Sequence, residues 1–135
     1  MSLFVWDAKY SVDIHEIDRQ HKRLFGLFNE LYEAMQEGHA DDVVDKVLTR
    51  VVDYTAYHFE TEEKLLAQYG YHDEAAHRAE HAKLTEQVKT LMQKLKAGDP
   101  LVSLATLKLL SDWLNHHILG SDQKYAPFLI ANGVR

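Results

Sequence analysis

The chain has no cysteine among its 135 residues, which excludes disulfides, thiolate zinc sites, iron–sulfur clusters and thiol catalysis. Any bound metal must then be held by imidazole and carboxylate, a donor set that suits iron, zinc, copper or nickel rather than calcium. Basic charge is also in short supply. Fifteen Lys and Arg against 21 Asp and Glu leave a formal net charge of -6 and a pI near 5.8, so neither nucleic acid nor an anionic membrane surface is an expected partner. No apolar run is long enough to span a bilayer. The opening Met1-Ser2-Leu3-Phe4-Val5-Trp6-Asp7 has neither the positive region nor the apolar core of a secretion signal. A cytoplasmic protein without membrane insertion is expected.

There are only two prolines and six glycines, and most of them punctuate long stretches of helical period. Gly38, Gly70 and Gly98 suit positions just past helix ends, Asp41 or Asp42 and Asp73 suit N-caps, and Asp99-Pro100 supplies an N-cap followed by an N1 proline. Helices are expected over 18–37, 41–69, 73–97 and 100–121. An extended arm, 1–17, precedes them, with Trp6, Tyr10 and Val12 available to pack it, and Pro127 and Gly133 confine the tail to a short final segment. Apolar residues recur at helical spacing: Leu24, Phe25, Phe28, Leu31, Tyr32, Met35; Val44, Val47, Leu48, Val51; Leu84, Val88, Leu91, Leu95; and Leu104, Leu107, Leu114. The expected fold is all-α, a single-domain up-down-up-down four-helix bundle.

Metal-competent side chains continue those stripes. His21 extends Leu24/Phe28, His58 and Glu62 extend Val51/Thr55, His77 and His81 extend Leu84/Val88, and His117, with Asp122 five residues on, extends Leu107/Leu114. Positions i and i+4 share a helix face, so His58/Glu62 and His77/His81 each aim two donors into one volume. In an antiparallel bundle the start of helix one, the end of helix two, the start of helix three and the end of helix four lie together, so all four groups meet at one end. Taken singly, His21 reads as a hydrogen-bonded core histidine, Glu62 as part of the solvated run Glu60–Lys64, and Asp122 as a cap. Burying five imidazoles and two carboxylates together without a cation, however, is very costly. The set is too large for one tetrahedral zinc. It suits two metal ions sharing the carboxylates, and five histidines over two ions divide three and two, leaving one ion open. His15, His39, His72 and His116 fall off the stripes.

The segments Ile17-Asp18-Arg19-Gln20-His21, His58-Phe59-Glu60-Thr61-Glu62-Glu63, His77-Arg78-Ala79-Glu80-His81 and Trp113-Leu114-Asn115-His116-His117-Ile118, with Asp122, resemble the hemerythrin family. The likeness extends over essentially the whole chain and is that of a stand-alone bacterial member. It implies two iron ions with a bridging oxo or hydroxo group, His77, His81 and His117 on one iron, His21 and His58 on the other, and Glu62 and Asp122 bridging. It also implies end-on dioxygen binding at the two-histidine iron, in a pocket lined by Leu24, Phe59, Trp113, Leu114 and Ile118. The expected function is reversible oxygen binding by a monomer, for storage or for delivery to an oxygen-consuming enzyme, rather than enzymatic turnover. The alternatives are a di-iron peroxidase or oxidase, oxygen or iron sensing, and iron sequestration. Against the first stands the single nominal Glu-x-x-His match, Glu74 to His77, where activating di-iron bundles carry two. A sensor would need an output domain, and storage a cage.

Overall fold

The computed structural model describes residues 4–36, 41–97 and 102–135. Its long elements are α1 (His15–Gln36), α2 (Asp41–Tyr69), α3 (Glu74–Lys96), α4 (Val102–Asp112), a π-helical segment (Trp113–Asp122) and α5 (Gln123–Ala131). Helix α1 packs on α2, α2 on α3, α3 on α4, and α4 back on α1, the closed order of an up-down-up-down bundle with a short C-terminal helix. Among the described residues no helix is long and apolar enough to cross a membrane. Gly38, His39, Gly98, Asp99 and Pro100, and the side chains of Asp41, Asp42, Leu95 and Leu104, lie outside the described residues.

Helix ends follow local chemistry. Gly70 takes φ 70°, the left-handed region glycine enters without strain, and the Tyr71 N–H bonds the Leu66 carbonyl at 2.9 Å to close α2. The arm is shorter than expected, because α1 begins at His15 rather than at residue 18. Asp18 lies inside the first turn. Its carboxylate reaches back to the Val12 N–H at 2.9 Å and to the Ser11 hydroxyl, so its role is to clasp the arm. Asn29 holds the Phe4 backbone through two 2.8 Å bonds, and the Gln123 amide donates to the carbonyls of Lys9 and Ser11. Trp6 and Tyr10 meet Phe25 edge-on.

The fourth helix does not stop at residue 121. The chain stays helical from Val102 to Ala131, and Pro127 lies within α5. That proline removes only the donor for the Gln123 carbonyl, at the junction where the hydrogen-bond period changes. The π segment has a consequence for the spacing of its side chains. Five residues at about 100° each would put Asp122 roughly 140° around an α-helix from His117, whereas at about 82° each the π period brings it to within roughly 50°.

Two apolar clusters fill the interior. One holds Leu24, Phe28, Leu31, Val51, Phe59, Trp113, Leu114 and Ile118. The other holds Val12, Ile14, Ile17, Leu66, Tyr125 and Leu129. Along α1, His21 falls between Ile17 and Leu24; along α2, Glu62 falls between Phe59 and Leu66. The polar donors thus occupy a layer sealed by hydrophobic packing on both sides.

Candidate metal centre

Seven donor side chains converge in that layer: His21, His58, Glu62, His77, His81, His117 and Asp122 are each at most 4% exposed. They form two groups in which the donor atoms lie within 4.8 Å of one another. One is Glu62, His77, His81, His117 and Asp122; the other is His21, His58, Glu62 and Asp122. Glu62 and Asp122 belong to both. Asp122 Oδ1 lies 3.1 Å from His77 Nε2 and 3.2 Å from His117 Nε2, while its Oδ2 lies 3.2 Å from His21 Nε2. Glu62 Oε1 is 2.7 Å from His58 Nε2 and 3.7 Å from His81 Nε2, and Oε2 is 3.6 Å from His77 Nε2. Each carboxylate therefore spans both groups, and the two groups hold three and two imidazoles.

The outer ring nitrogens decide which way the inner ones face. His117 Nδ1 is 2.7 Å from Glu80 Oε1, and His81 Nδ1 is 3.1 Å from Glu63 Oε2. An ionised carboxylate only accepts, so each Nδ1 carries its proton and, in the neutral ring, each Nε2 presents a lone pair. The two Nε2 atoms face each other across 3.0 Å, so with both rings neutral two lone pairs oppose one another. His58 repeats the pattern. Its Nδ1 is 2.7 Å from Gln20 Oε1, and the Gln20 amide nitrogen is committed to Glu16 at 2.9 Å, so the oxygen must face the ring and the Nδ1–H donates. His58 Nε2 is then left with a lone pair beside Glu62. The inner nitrogens of His21, His58 and His77 and all four oxygens of Glu62 and Asp122 are buried without a hydrogen-bond partner. Unpaired acceptors so placed repel one another, and a cation between them reverses the sign.

Spacing also suits donors that share an ion. Two donors about 2.1 Å from one ion are about 3.0 Å apart at right angles and about 3.4 Å apart at the tetrahedral angle. The His81–His117, His77–Asp122 and His117–Asp122 edges of 3.0, 3.1 and 3.2 Å fall in this range, and those from Glu62 to His77 and His81 are 3.6 and 3.7 Å. Five donor residues lie in one group and four in the other, with Glu62 and Asp122 in both, enough to hold two neighbouring ions. This donor set fits a pair of iron ions.

Without a cation the layer must be neutralised by protons. Burial lowers the basicity of His77, but Asp122 and Glu62 outweigh it and raise its pKa to about 10. Burial lowers His81 to about 3, the neighbouring histidines adding to the effect against Glu62, and burial likewise depresses His58. Glu62 is held well below the usual carboxylate range by His58 and its neighbours in spite of burial. The hydrogen bond from His117 takes Glu80 down to about 2. Tyr125, wholly buried with its ring 5.3 Å from His77, is pushed up by burial and by the charge of Glu62 and Asp122.

Phe59 and Trp113 roof the layer. Phe59 lies flat on His81 with centroids 3.8 Å apart, and Trp113 stacks on His117 and stands edge-on to His21 and His58. Both also line an apolar cavity of about 60 Å³ continuing between α2, α3 and α4 past Val51, Leu84, Val88 and Leu110. Leu24, Leu114 and Ile118 are buried in the same cluster but lie outside the lining of that cavity. His15, His72 and His116 are exposed, and the Glu74 carboxylate pairs with Arg78. Gln20, Glu63, Glu80 and Ser121, which brace the ligands from outside, were missed by stripe reasoning. Gln20 and Glu80 each precede a donor histidine, the only signal they leave in the sequence.

Known proteins are similar to this chain in sequence and fold. The family described as "Hemerythrin HHE cation binding domain" matches residues 12–129. The chain is 36% identical over 132 residues to a bacteriohemerythrin of Methylococcus capsulatus, covering 97% of this chain and 100% of that one. To a bacteriohemerythrin of Stenotrophomonas maltophilia it is 37% identical over 129 residues, covering 93% and 81%. A crystal structure of a wild-type hemerythrin superposes with a TM-score of 0.86 at 35% identity, over 94% of this chain and 98% of that one.

Proposed function

Because the chain belongs to the hemerythrin family, we propose that it binds dioxygen reversibly at a di-iron centre, for storage or for delivery to an oxygen-requiring enzyme. The observation that carries this reading is the set of inward lone pairs: protonated Nδ1 atoms on His58, His81 and His117 leave Nε2 atoms that only cations satisfy. In it, His77, His81 and His117 hold one iron, His21 and His58 the other, and Glu62 and Asp122 bridge them. When bound, the pair supplies electrons to dioxygen and recovers them on release. The protein's own part is to keep one position vacant and dry.

Dryness comes from Phe59 and Trp113 above the donors, with Leu24, Leu114 and Ile118 packed around them. An apolar surround lets neutral oxygen pass and disfavours departure of a charged, one-electron-reduced product, which is the route of autoxidation. Leu114→Ala is expected to shorten the lifetime of the oxygenated form and to cost about 2–5 kcal/mol of stability through the cavity it opens. Spectral decay in air and thermal melting measure the two effects, and an unchanged decay rate removes Leu114 from the barrier.

The enzyme reading lacks its carboxylates, since Glu74 engages Arg78 instead of the donor layer. The deciding experiment loads the protein with ferrous iron under argon and cycles it between argon and air. An oxygen-dependent visible band that appears and vanishes over many cycles supports the carrier. Irreversible conversion to the diferric form, with hydrogen peroxide consumed catalytically, supports the peroxidase.

A further inference from the structure

The hydrogen bonds outside the donor layer are unequal on its two sides. On the three-histidine side, His117 donates to Glu80 at 2.7 Å and His81 donates to Glu63 at 3.1 Å. Both acceptors are anions, and both are held. Ser121 Oγ lies 2.9 and 2.7 Å from the two Glu80 oxygens, and Arg78 Nε lies 3.5 Å from Glu63 Oε1. On the two-histidine side, His58 donates to the neutral amide of Gln20 at 2.7 Å. Glu16 and Thr61 fix that amide's orientation by taking its nitrogen. His21 Nδ1 has no partner at all.

A carboxylate accepting from Nδ1–H draws the proton toward itself and leaves more electron density on Nε2, making the imidazole a stronger donor. A stronger donor favours the ion of higher charge, and a neutral amide does so far less. We infer that Glu63 and Glu80 act as positioning residues that make the three-histidine side the preferred ferric site, while Gln20 and the unpartnered His21 leave the two-histidine side the preferred ferrous site. The inference rests on the di-iron reading above. One-electron oxidation of the diferrous protein by ferricyanide, which is reduced to ferrocyanide, then takes its electron from the three-histidine side. The ion on the two-histidine side remains ferrous.

The test uses the parent protein, Glu80→Gln, Glu63→Gln and the reciprocal Gln20→Glu, each loaded anaerobically with ferrous iron. Iron per chain is counted first: a parent that does not hold two ions sinks the di-iron reading, not this one. Potentials of the two successive one-electron steps are then measured by spectroelectrochemistry, and the half-oxidised protein is examined by Mössbauer spectroscopy. Glu80→Gln and Glu63→Gln should each weaken ferric over ferrous preference about tenfold, raising the first potential by about 59 mV. Gln20→Glu should lower the second potential and narrow the gap. Should Glu80→Gln fail to load, Glu63→Gln carries the test for the three-histidine side, because it alters the bond from His81 and leaves the one from His117 in place. Variants that hold two irons with both potentials unchanged, or that move both steps together whichever side is altered, overturn the inference.

Discussion

Asp122→Ala is expected to empty both halves of the metal centre, whereas His21→Ala empties one. The difference follows from which atoms each side chain presents. Asp122 Oδ1 serves His77 and His117, and Oδ2 serves His21, so truncation takes a donor and half of the layer's anionic charge from both groups at once. One remaining carboxylate would face four positive charges in a sealed layer. Affinity should fall by well over the about 10–100-fold that loss of a bracing hydrogen bond alone produces. His21→Ala leaves Glu62, His77, His81, His117 and Asp122 complete, and one ion per chain should survive. Equilibrium dialysis against ferrous iron followed by elemental analysis reads both outcomes, with circular dichroism confirming the helical fold. Two ions per chain in Asp122→Ala would refute the bridging assignment.

The same residue shows where the sequence speaks and where it falls silent. His58/Glu62 and His77/His81 are legible because four residues on an α-helix return to one face, and each pair prolongs an apolar stripe. His117 and Asp122 stand five apart, which on an α-helix means opposite faces; only the π period of Trp113–Asp122 reconciles them. That odd spacing was itself the trace of the π segment. Nothing in hydrophobic periodicity encodes it, because the ten residues gain their geometry from the donors they must deliver. Helix ends were readable where a residue's backbone decides, as at Gly70, and misread where a side chain's partner decides, as at Asp18. The outer carboxylates were harder still. Glu63 sits in a run where Glu60 pairs with Lys64 on the exposed face, and only the fold turns one of these neighbouring acids toward His81.

Sequence and structure together describe a layer that is stable only when charged from within. The hydrophobic clusters above and below are ordinary bundle packing, and they would close as readily over leucines. What the donors add is a cation requirement, and the hydrogen bonds that His58, His81 and His117 donate to Gln20, Glu63 and Glu80 enforce it by fixing the protons on the outer nitrogens. The fold therefore aims the Nε2 atoms of His58, His81 and His117 at the place a metal would take, and the proton it keeps there is the one on His77.

Removing iron should accordingly lower the melting temperature by about 10–15 °C near neutral pH, and the loss should grow as pH rises. A ligand at 1,000 times its dissociation constant stabilises the native state by about 4 kcal/mol, and a chain of this size shifts by about 2–4 °C per kcal/mol. The pH dependence follows from the imidazoles. His77 in the iron-free fold has its pKa raised to about 10 from 6.5. Its ion pairs therefore contribute fully below pH 6.5 and are lost as pH climbs through 10. His81 is depressed to about 3, so the unfolded chain takes up its proton first, and stability falls as pH drops from 6.5 toward 3. The iron-free protein is thus squeezed from both sides, with its optimum near pH 6.5. Iron replaces the proton on His77 and removes the alkaline limb, so the gap between loaded and iron-free melting curves should widen from pH 6.5 to 9. Anaerobic melts of both forms across that range give the answer. A gap that stays constant or narrows would mean that the donor layer is neutralised by something other than the His77 proton.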